Sequence, residues 1–297
     1  MNLSENPFGY ANYSDEKDLQ LLSLALAGDK AGLSLLIERH QKYIFNIALK
    51  MINNTEDAKD VTQEVLLKLI TNLGRYDATK GKFRTWLYRI TFNHILNIKK
   101  QKYEQLITGF DTFFGFIENS PVHDLSDEEE KEMQQYIQES KIACMAGMLM
   151  CLSREQRLIY IVGEVFEIDH NLAAEIFDTT PVNFRQKLSR TRKDLYQWMN
   201  RKCGLVNKEN SCRCKKKTKG FIENGWVDPN NLKWNSNYHQ SIMDTTNDNI
   251  EKALLTIDDI YAKLYRDHPF KIVKNATSII DEIVENKALK SIFKLNE

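Results

Sequence analysis

Glycine and proline are scarce in this chain of 297 residues, 12 of the first and 5 of the second. So few turn-forming residues exclude the many short strands of a sandwich or barrel and favour helices. Long apolar runs are missing too. The longest strongly apolar stretch, "IACMAGMLMCL", is 11 residues, well short of the ~20 that a bilayer-spanning helix needs. The opening "MNLSENPFGYANYSDEKDLQ" lacks a basic start and an apolar stretch, so neither signal peptide nor anchor is expected and a cytoplasmic location is. Five cysteines, an odd number, do not make a disulfide framework and point to free thiols or a metal site. There is no glycine-rich phosphate loop, no paired-histidine motif and no nucleophile beside a base, so the protein is not expected to be an enzyme.

Net charge is also lacking, at a formal +0, yet 28% of residues are charged and they are segregated. Residues 75–102 carry eight Lys/Arg against Asp77 alone, 181–193 carry five against none, and 201–219 carry eight against Glu209. Residues 111–132 hold eight acids against Lys131. Basic blocks on either side of an acidic connector suggest two contacts with a polyanion, although each could also be a solvated helix face.

With 42% hydrophobic residues the chain can bury real cores, and the apolar spacing is helical throughout. Leu33, Leu36, Ile37, Ile44, Ile47 and Ala48 recur at three- and four-residue steps between Leu19 and Met51. The break "NNTEDA" starts a new helix, whose buried stripe is Ala58, Val61, Val65, Leu69 and Leu73, with Asp60, Gln63 and Glu64 on another face. After the polar loop "GRYDATKGK", the stretch "FRTWLYRITFNHILNIKK" places Phe83, Leu87, Ile90, Thr91, His94 and Ile98 in one sector. Trp86, Arg89, Asn93, Asn97 and Lys100 lie opposite. Aromatics interleaved with cations are what holding unpaired bases requires, by stacking on the ring while charges track the backbone; packing of Trp86 on a neighbouring helix is the plainer alternative.

The acidic stretch containing "ENSPVHDLSDEEEKE" reads as a linker. Beyond it, "LSREQR" is a capping box with Ser153 as N-cap and Gln156 three residues on. "DHNLAAEIF", "DTT" and "PVNFRQKLSRTRKDLYQWM" then form a helix, a tight turn without glycine and a second helix starting at Pro181. Phe184, Leu188, Leu195 and Trp198 give the second helix a buried side. Asn183, Arg185, Gln186, Lys187 and Arg190 remain outward, the residue types that read bases and hold phosphates from a helix-turn-helix. Cys144 and Cys151 are expected to be core residues. Cys203, Cys212 and Cys214 could ligate zinc, but a tetrahedral structural site needs a fourth donor; none is adjacent, and His239 or Cys151 could serve only through the fold.

"DAKDVTQEVLLKL" followed by "FRTWLYRITFNHILNIKK" resembles region 2 of bacterial sigma-70 family transcription initiation factors, and residues 152–195 resemble their region 4. Two such regions with only a linker between them resemble the small extracytoplasmic-function group, here with a C-terminal extension. The resemblance implies an all-α fold of two small helical domains joined by an acidic linker, plus a helical extension. Its segments would be a flexible N-terminus 1–16, region 2 at 17–108, the linker at 109–133, region 4 at 134–202 and the extension at 203–297. It implies a factor that binds core RNA polymerase, directs it to promoter DNA and assists melting, with no cofactor, no membrane partner and room for an anti-sigma factor. Asp60, Gln63 and Glu64 would dock on polymerase. Arg75, Lys80, Lys82, Phe83, Arg84, Trp86, Arg89, Asn93, Asn97 and Lys100 would hold and melt the −10 element. Thr180, Pro181, Asn183, Arg185, Gln186, Lys187 and Arg190 would read the −35 element. The usual family ending of the melting helix has an Asp and Arg pair where this chain has "TFNHILNIKK", so base preference does not transfer. A stand-alone helix-turn-helix regulator is the alternative; it leaves "DAKDVTQEV" and the Trp86 face without a use.

Overall fold

The computed structural model describes residues 6–9, 13–100, 102–230, 232 and 265, and among these the regular structure is helical, with no strand. The expected helical region 247–293 lies outside the described residues except for Tyr265. The described residues fall into two units, one from residues 6–99 with 166–185 and the other from 100–165 with 186–232 and Tyr265. The expected segments do not coincide with them: the turn of the helix-turn-helix goes with the first unit, and the acidic stretch is folded into the second.

In the first unit, α1 (Asp15–Leu26), α2 (Lys30–Ile52), α3 (Thr55–Asn72) and α4 (Phe83–Asn97) pack side by side, joined at residues 166–185 by α10 (His170–Ile176) and the start of α11 (Pro181–Lys202). The first helical stretch comprises two helices, because Gly28 takes a positive φ of 92° and Asp29 caps α2 by accepting from the N–H groups of Ala31 and Gly32. Asn54 caps α3 in the same way, at the break the sequence marked. Every residue of the expected α3 stripe is buried.

The last ten residues of α2, Tyr43 to Ile52, are buried on all sides, making it the central helix. One of them is Lys50, whose ammonium burial pushes down to about 7. The sign follows directly: between about 7 and the ordinary lysine value near 10.4 the unfolded chain binds more protons at this group, so its contribution to stability falls as pH drops through that range. Lys50→Met should therefore be more stable than the parent at pH 7, with the difference shrinking toward pH 10. Thermal unfolding of both proteins across that range checks it.

Residues 6–9 are part of this unit and not a loose end. Phe8 is 0% exposed among Tyr43, Tyr88, Phe92 and Phe166, and its carbonyl accepts from the Asp169 N–H. In the first turn of α1, buried Asp18 takes Arg39 Nε at 2.7 Å, His40 at 3.4 Å and the Tyr13 hydroxyl. Burial would raise its carboxyl, but these three partners outweigh that and hold it below the usual range.

The second unit contains α5 (Lys102–Leu106), α6 (Phe110–Asn119), α7 (Asp127–Glu132), α8 (Gln134–Met150), α9 (Arg154–Tyr160), a π-helical continuation (Ile161–Val165), most of α11 and α12 (Cys214–Glu223). Its core gathers Phe113, Phe114 and Ile117 of α6 with Met145, Met148 and Leu149 of α8, Leu195 and Met199 of α11, Phe221 and Tyr265. The stretch expected to be a linker is thus anchored by its aromatics. Its acids are engaged as well: Glu118 pairs with Lys202 (2.6 Å), Asp124 with Lys216 (2.5 Å), Glu129 with Lys219 (2.7 Å) and Glu130 with Lys215 (2.7 Å). Lys217 donates to the carbonyls of Glu118 and Ser120. Gly220 permits the close approach, since a Cβ there would lie 2.5 Å from the Pro121 carbonyl oxygen. The basic block 201–219 therefore meets the chain's own acidic block.

Candidate nucleic-acid interface

The α4 helix starts after a loop that folds back on itself. The Tyr76 hydroxyl donates to the Gly81 carbonyl (2.9 Å), and Asp77 accepts from the Thr79 N–H and hydroxyl. Arg75, Lys80 and Lys82 are exposed on it, with Lys80 3.5 Å from Asp77 and Lys82 3.5 Å from Asp15. Trp86 is half-buried: its ring lies 5.8 Å from Tyr76 and 5.6 Å from Phe83, which is itself buried. The indole is thus held by neighbours without being enclosed by them. Asn93, Asn97 and Lys100 are exposed along the same helix and its exit.

The buried side of α4 is wider than the spacing predicted. Phe83, Leu87 and Thr91 are buried as expected, while Ile90, His94 and Ile98 are only half-buried. Arg84, Tyr88, Phe92 and Ile95 take the remaining core positions. Arg84 corrects an expectation, since it is 0% exposed. Its guanidinium donates to the Pro7 and Gly9 carbonyls at 3.1 and 3.0 Å and pairs with Asp15 at 2.8 Å. A planar fork with five donors suits that cradle, and it cannot touch DNA from there. Arg89 is exposed, but it donates to the Glu175 carbonyl oxygen, and Thr85 donates to the Glu175 carboxylate at 2.9 Å. Phe92 lies 5.2 Å from Phe177, so α10 covers this flank of α4.

On α3, Asp60 and Glu64 are exposed and Gln63 half-buried. Glu64 reaches His94 of α4 at 2.9 Å, and Lys68 approaches the other ring nitrogen at 3.0 Å. These two contacts pin one end of the acidic face to the base of α4.

Residues 169–202 form a short helix, a turn and a long helix. Asp169 caps α10 by accepting from Asn171 and Leu172. The turn manages without glycine because Asp178 itself takes φ 51°, a left-handed conformation that Asp tolerates better than most residues. Asp178→Gly should stabilise by about 0.5–1 kcal/mol and Asp178→Val should destabilise by about 1–2 kcal/mol, read from urea unfolding. Thr180 accepts from the Asn183 N–H at 3.1 Å and caps α11, which begins at Pro181. Pro181 itself is half-buried; Asn183, Arg185, Gln186 and Arg190 are exposed, and Lys187 is exposed but pairs with Glu155 at 2.6 Å. Phe184, Leu188 and Leu195 are buried behind them.

The cysteines expected as ligands, Cys203, Cys212 and Cys214, line one cavity together with Cys144. Sequence spacing could not reveal this, because Cys144 lies on a separate helix. Among the described residues no three His, Cys, Asp or Glu side chains are already grouped to hold a metal ion. No helix of the described residues is long and apolar enough to cross a membrane.

Residues 36–103, spanning most of α2, all of α3 and α4, match the family model for sigma-70 region 2. The chain is similar to the RNA polymerase sigma-H factor of Pseudomonas aeruginosa, 33% identical over 84 residues, which are 28% of this chain and 43% of that one. It is similar to the ECF RNA polymerase sigma factor SigW of Bacillus subtilis, 30% identical over 76 residues, 25% of this chain and 40% of that one. A longer, weaker likeness to the RNA polymerase sigma factor YlaC of Bacillus subtilis runs over 161 residues at 23% identity, 54% of this chain and 87% of the other. The chain thus spans about two-fifths of the length of the first two relatives, and no enzyme family is indicated among these matches. Residues 36–103 are thus similar to sigma-70 region 2, and the proteins that the chain resembles include extracytoplasmic-function sigma factors.

Proposed function

We propose that this protein is a transcription initiation factor that binds core RNA polymerase, directs it to a promoter and assists opening of the duplex, acting in the cytoplasm and catalysing no reaction itself. The observation that carries the reading is the region 2 match lying on α3 and α4, where α4 exposes a held indole beside Asn93, Asn97 and Lys100. Asp60, Gln63 and Glu64 would dock on polymerase, and a protein covering that face would act as an anti-sigma partner. Trp86, with Arg75, Lys80 and Lys82 of the loop, would take an unpaired base of the −10 element. Stacking offers about 1–3 kcal/mol per base against duplex stacking of about 1.4 kcal/mol per step, so opening several steps needs polymerase as well. Asn183, Arg185, Gln186 and Arg190 at the start of α11 would read the −35 element from the major groove. For Arg89 to reach DNA, its bond to Glu175 must be given up.

A pull-down with core polymerase followed by run-off transcription on promoter DNA tests this. Polymerase-dependent open complexes are the expected result. Tight duplex binding without polymerase and no open complex with it would instead establish the stand-alone regulator.

A further inference from the structure

Four of the five cysteines meet at one small enclosed cavity of the second unit, although they come from distant parts of the chain. Cys144 is on α8, Cys203 just past α11, and Cys212 and Cys214 at the entry to α12; Phe114 and Ile117 wall the space with apolar surface. We propose that Cys144, Cys203, Cys212 and Cys214 form a four-thiolate site for a zinc-class divalent metal ion.

Three features besides the convergence support it. First, the loop is shaped around the cysteines. The Cys203 and Cys212 carbonyls are each held by a side-chain donor, Asn210 at 3.1 Å and Arg213 at 3.0 Å. The loop also requires Gly204, because a Cβ there would lie 2.0 Å from the Cys212 carbonyl oxygen. Second, cations stand close by. A divalent ion with four thiolates carries two net negative charges. Lys217 is a buried residue lining the same cavity, and half-buried Lys141 of α8 precedes Cys144 by three residues. Third, soft thiolate donors in an apolar shell select zinc and its congeners over magnesium or calcium.

Thiolates, not thiols, ligate a metal ion, so binding must displace protons: M²⁺ and four thiols give the tetrathiolate complex and four protons released to solvent. Three thiols are not yet grouped at ligand spacing, so binding requires side-chain rotation toward the cavity centre, a local change on Cys side chains with a single χ angle. The fifth thiol, Cys151, lies apart and donates to the Gly147 carbonyl.

The test uses the full chain, reduced and stripped with a chelator, titrated with Co²⁺ alone and then with Zn²⁺. One Co²⁺ per chain should bind with the visible bands and sulfur charge-transfer absorption of tetrahedral tetrathiolate cobalt, Zn²⁺ should displace it, and protons should be released. Cys144→Ser should weaken Co²⁺ binding at least ten-fold and change the spectrum to that of a site with fewer thiolates, while Cys151→Ser changes neither. Cys212→Ser, on the loop, repeats the test should Cys144→Ser fail to fold by circular dichroism. Absence of the charge-transfer band in the parent, or an unchanged spectrum and affinity in both ligand variants, would overturn the proposal. Transcription plays no part in this readout, so its failure leaves the promoter reading untouched.

Discussion

Arg157→Met is expected to cost about 3–5 kcal/mol of stability, because it strips a buried hub of every hydrogen bond it donates. Arg157 is 1% exposed and gathers the end of α8: Nε donates to the Leu149 carbonyl at 3.0 Å, and one terminal nitrogen donates to those of Met150 and Leu152 at 3.1 Å each. The other reaches Glu104 at 3.2 Å. A methionine fills the volume but leaves carbonyls buried without a donor, at about 1–3 kcal/mol for each that water cannot reach. Glu104 keeps its two-point contact with Arg154, at 2.8 and 2.6 Å, which limits the loss to the lower end of what breaking a buried charge network costs. Arg157→Lys should recover little, since an ammonium cannot fork across several carbonyls. Urea unfolding followed by tryptophan emission decides it, and a loss below about 1 kcal/mol would show that the α8 end repacks freely.

The same network sets an acid limit. Burial would raise Glu104, but hydrogen bonding to Arg154 and the charge of Arg157 outweigh it and hold the carboxyl below the usual range. A depressed acid adds stability above its unfolded value near 4.3, and that stability is lost as pH falls through the folded value. In Arg157→Met the folded value lies closer to the unfolded one, so the acid-dependent loss should be smaller and complete at a higher pH than in the parent.

Trp86→Ala should reduce promoter opening by roughly 5- to 150-fold, the equivalent of the 1–3 kcal/mol of one stacked base, while polymerase affinity changes less than about two-fold. The structure sharpens the reason. Tyr76 and Phe83 brace the indole, so its orientation is fixed before any base arrives, and Trp86→Phe should keep part of the activity. Opening measured by permanganate reactivity of unpaired thymines, beside polymerase affinity by fluorescence anisotropy, separates the two steps. An equal loss in both would make Trp86 a packing residue whose removal disturbs α4 as a whole.

How legible the sequence was depends on how local the cause is. Caps at Asn54 and Ser153, the α3 stripe and the start of α11 at Pro181 are decided within one helical turn, and they were all readable. Arg84 was not, because the carbonyls that bury it belong to residues 75 and more positions away, and an arginine beside a tryptophan otherwise suggests surface. The helices within the stretch read as a linker were missed for a different reason. Its acids dominated the composition, yet "FDTFFGFI" carried the aromatics that build the α6 face, a signal available in the residues themselves. The covering of the Thr85 and Arg89 flank by Glu175 joins segments 86 to 90 residues apart, and no spacing rule reaches that far.

The pairing of Glu118, Asp124, Glu129 and Glu130 with Lys202, Lys216, Lys219 and Lys215 also fixes how many mobile ions this protein can exchange with a polyanion. A lysine already neutralised by a carboxylate displaces no cation from a phosphate. Were those four lysines free, each would steepen the dependence of log K on log[salt] by about 0.9, together about 3.6. Promoter affinity should therefore vary with salt only as steeply as the cations of α4, its loop and the start of α11 allow, well below what the count of basic residues along the chain suggests.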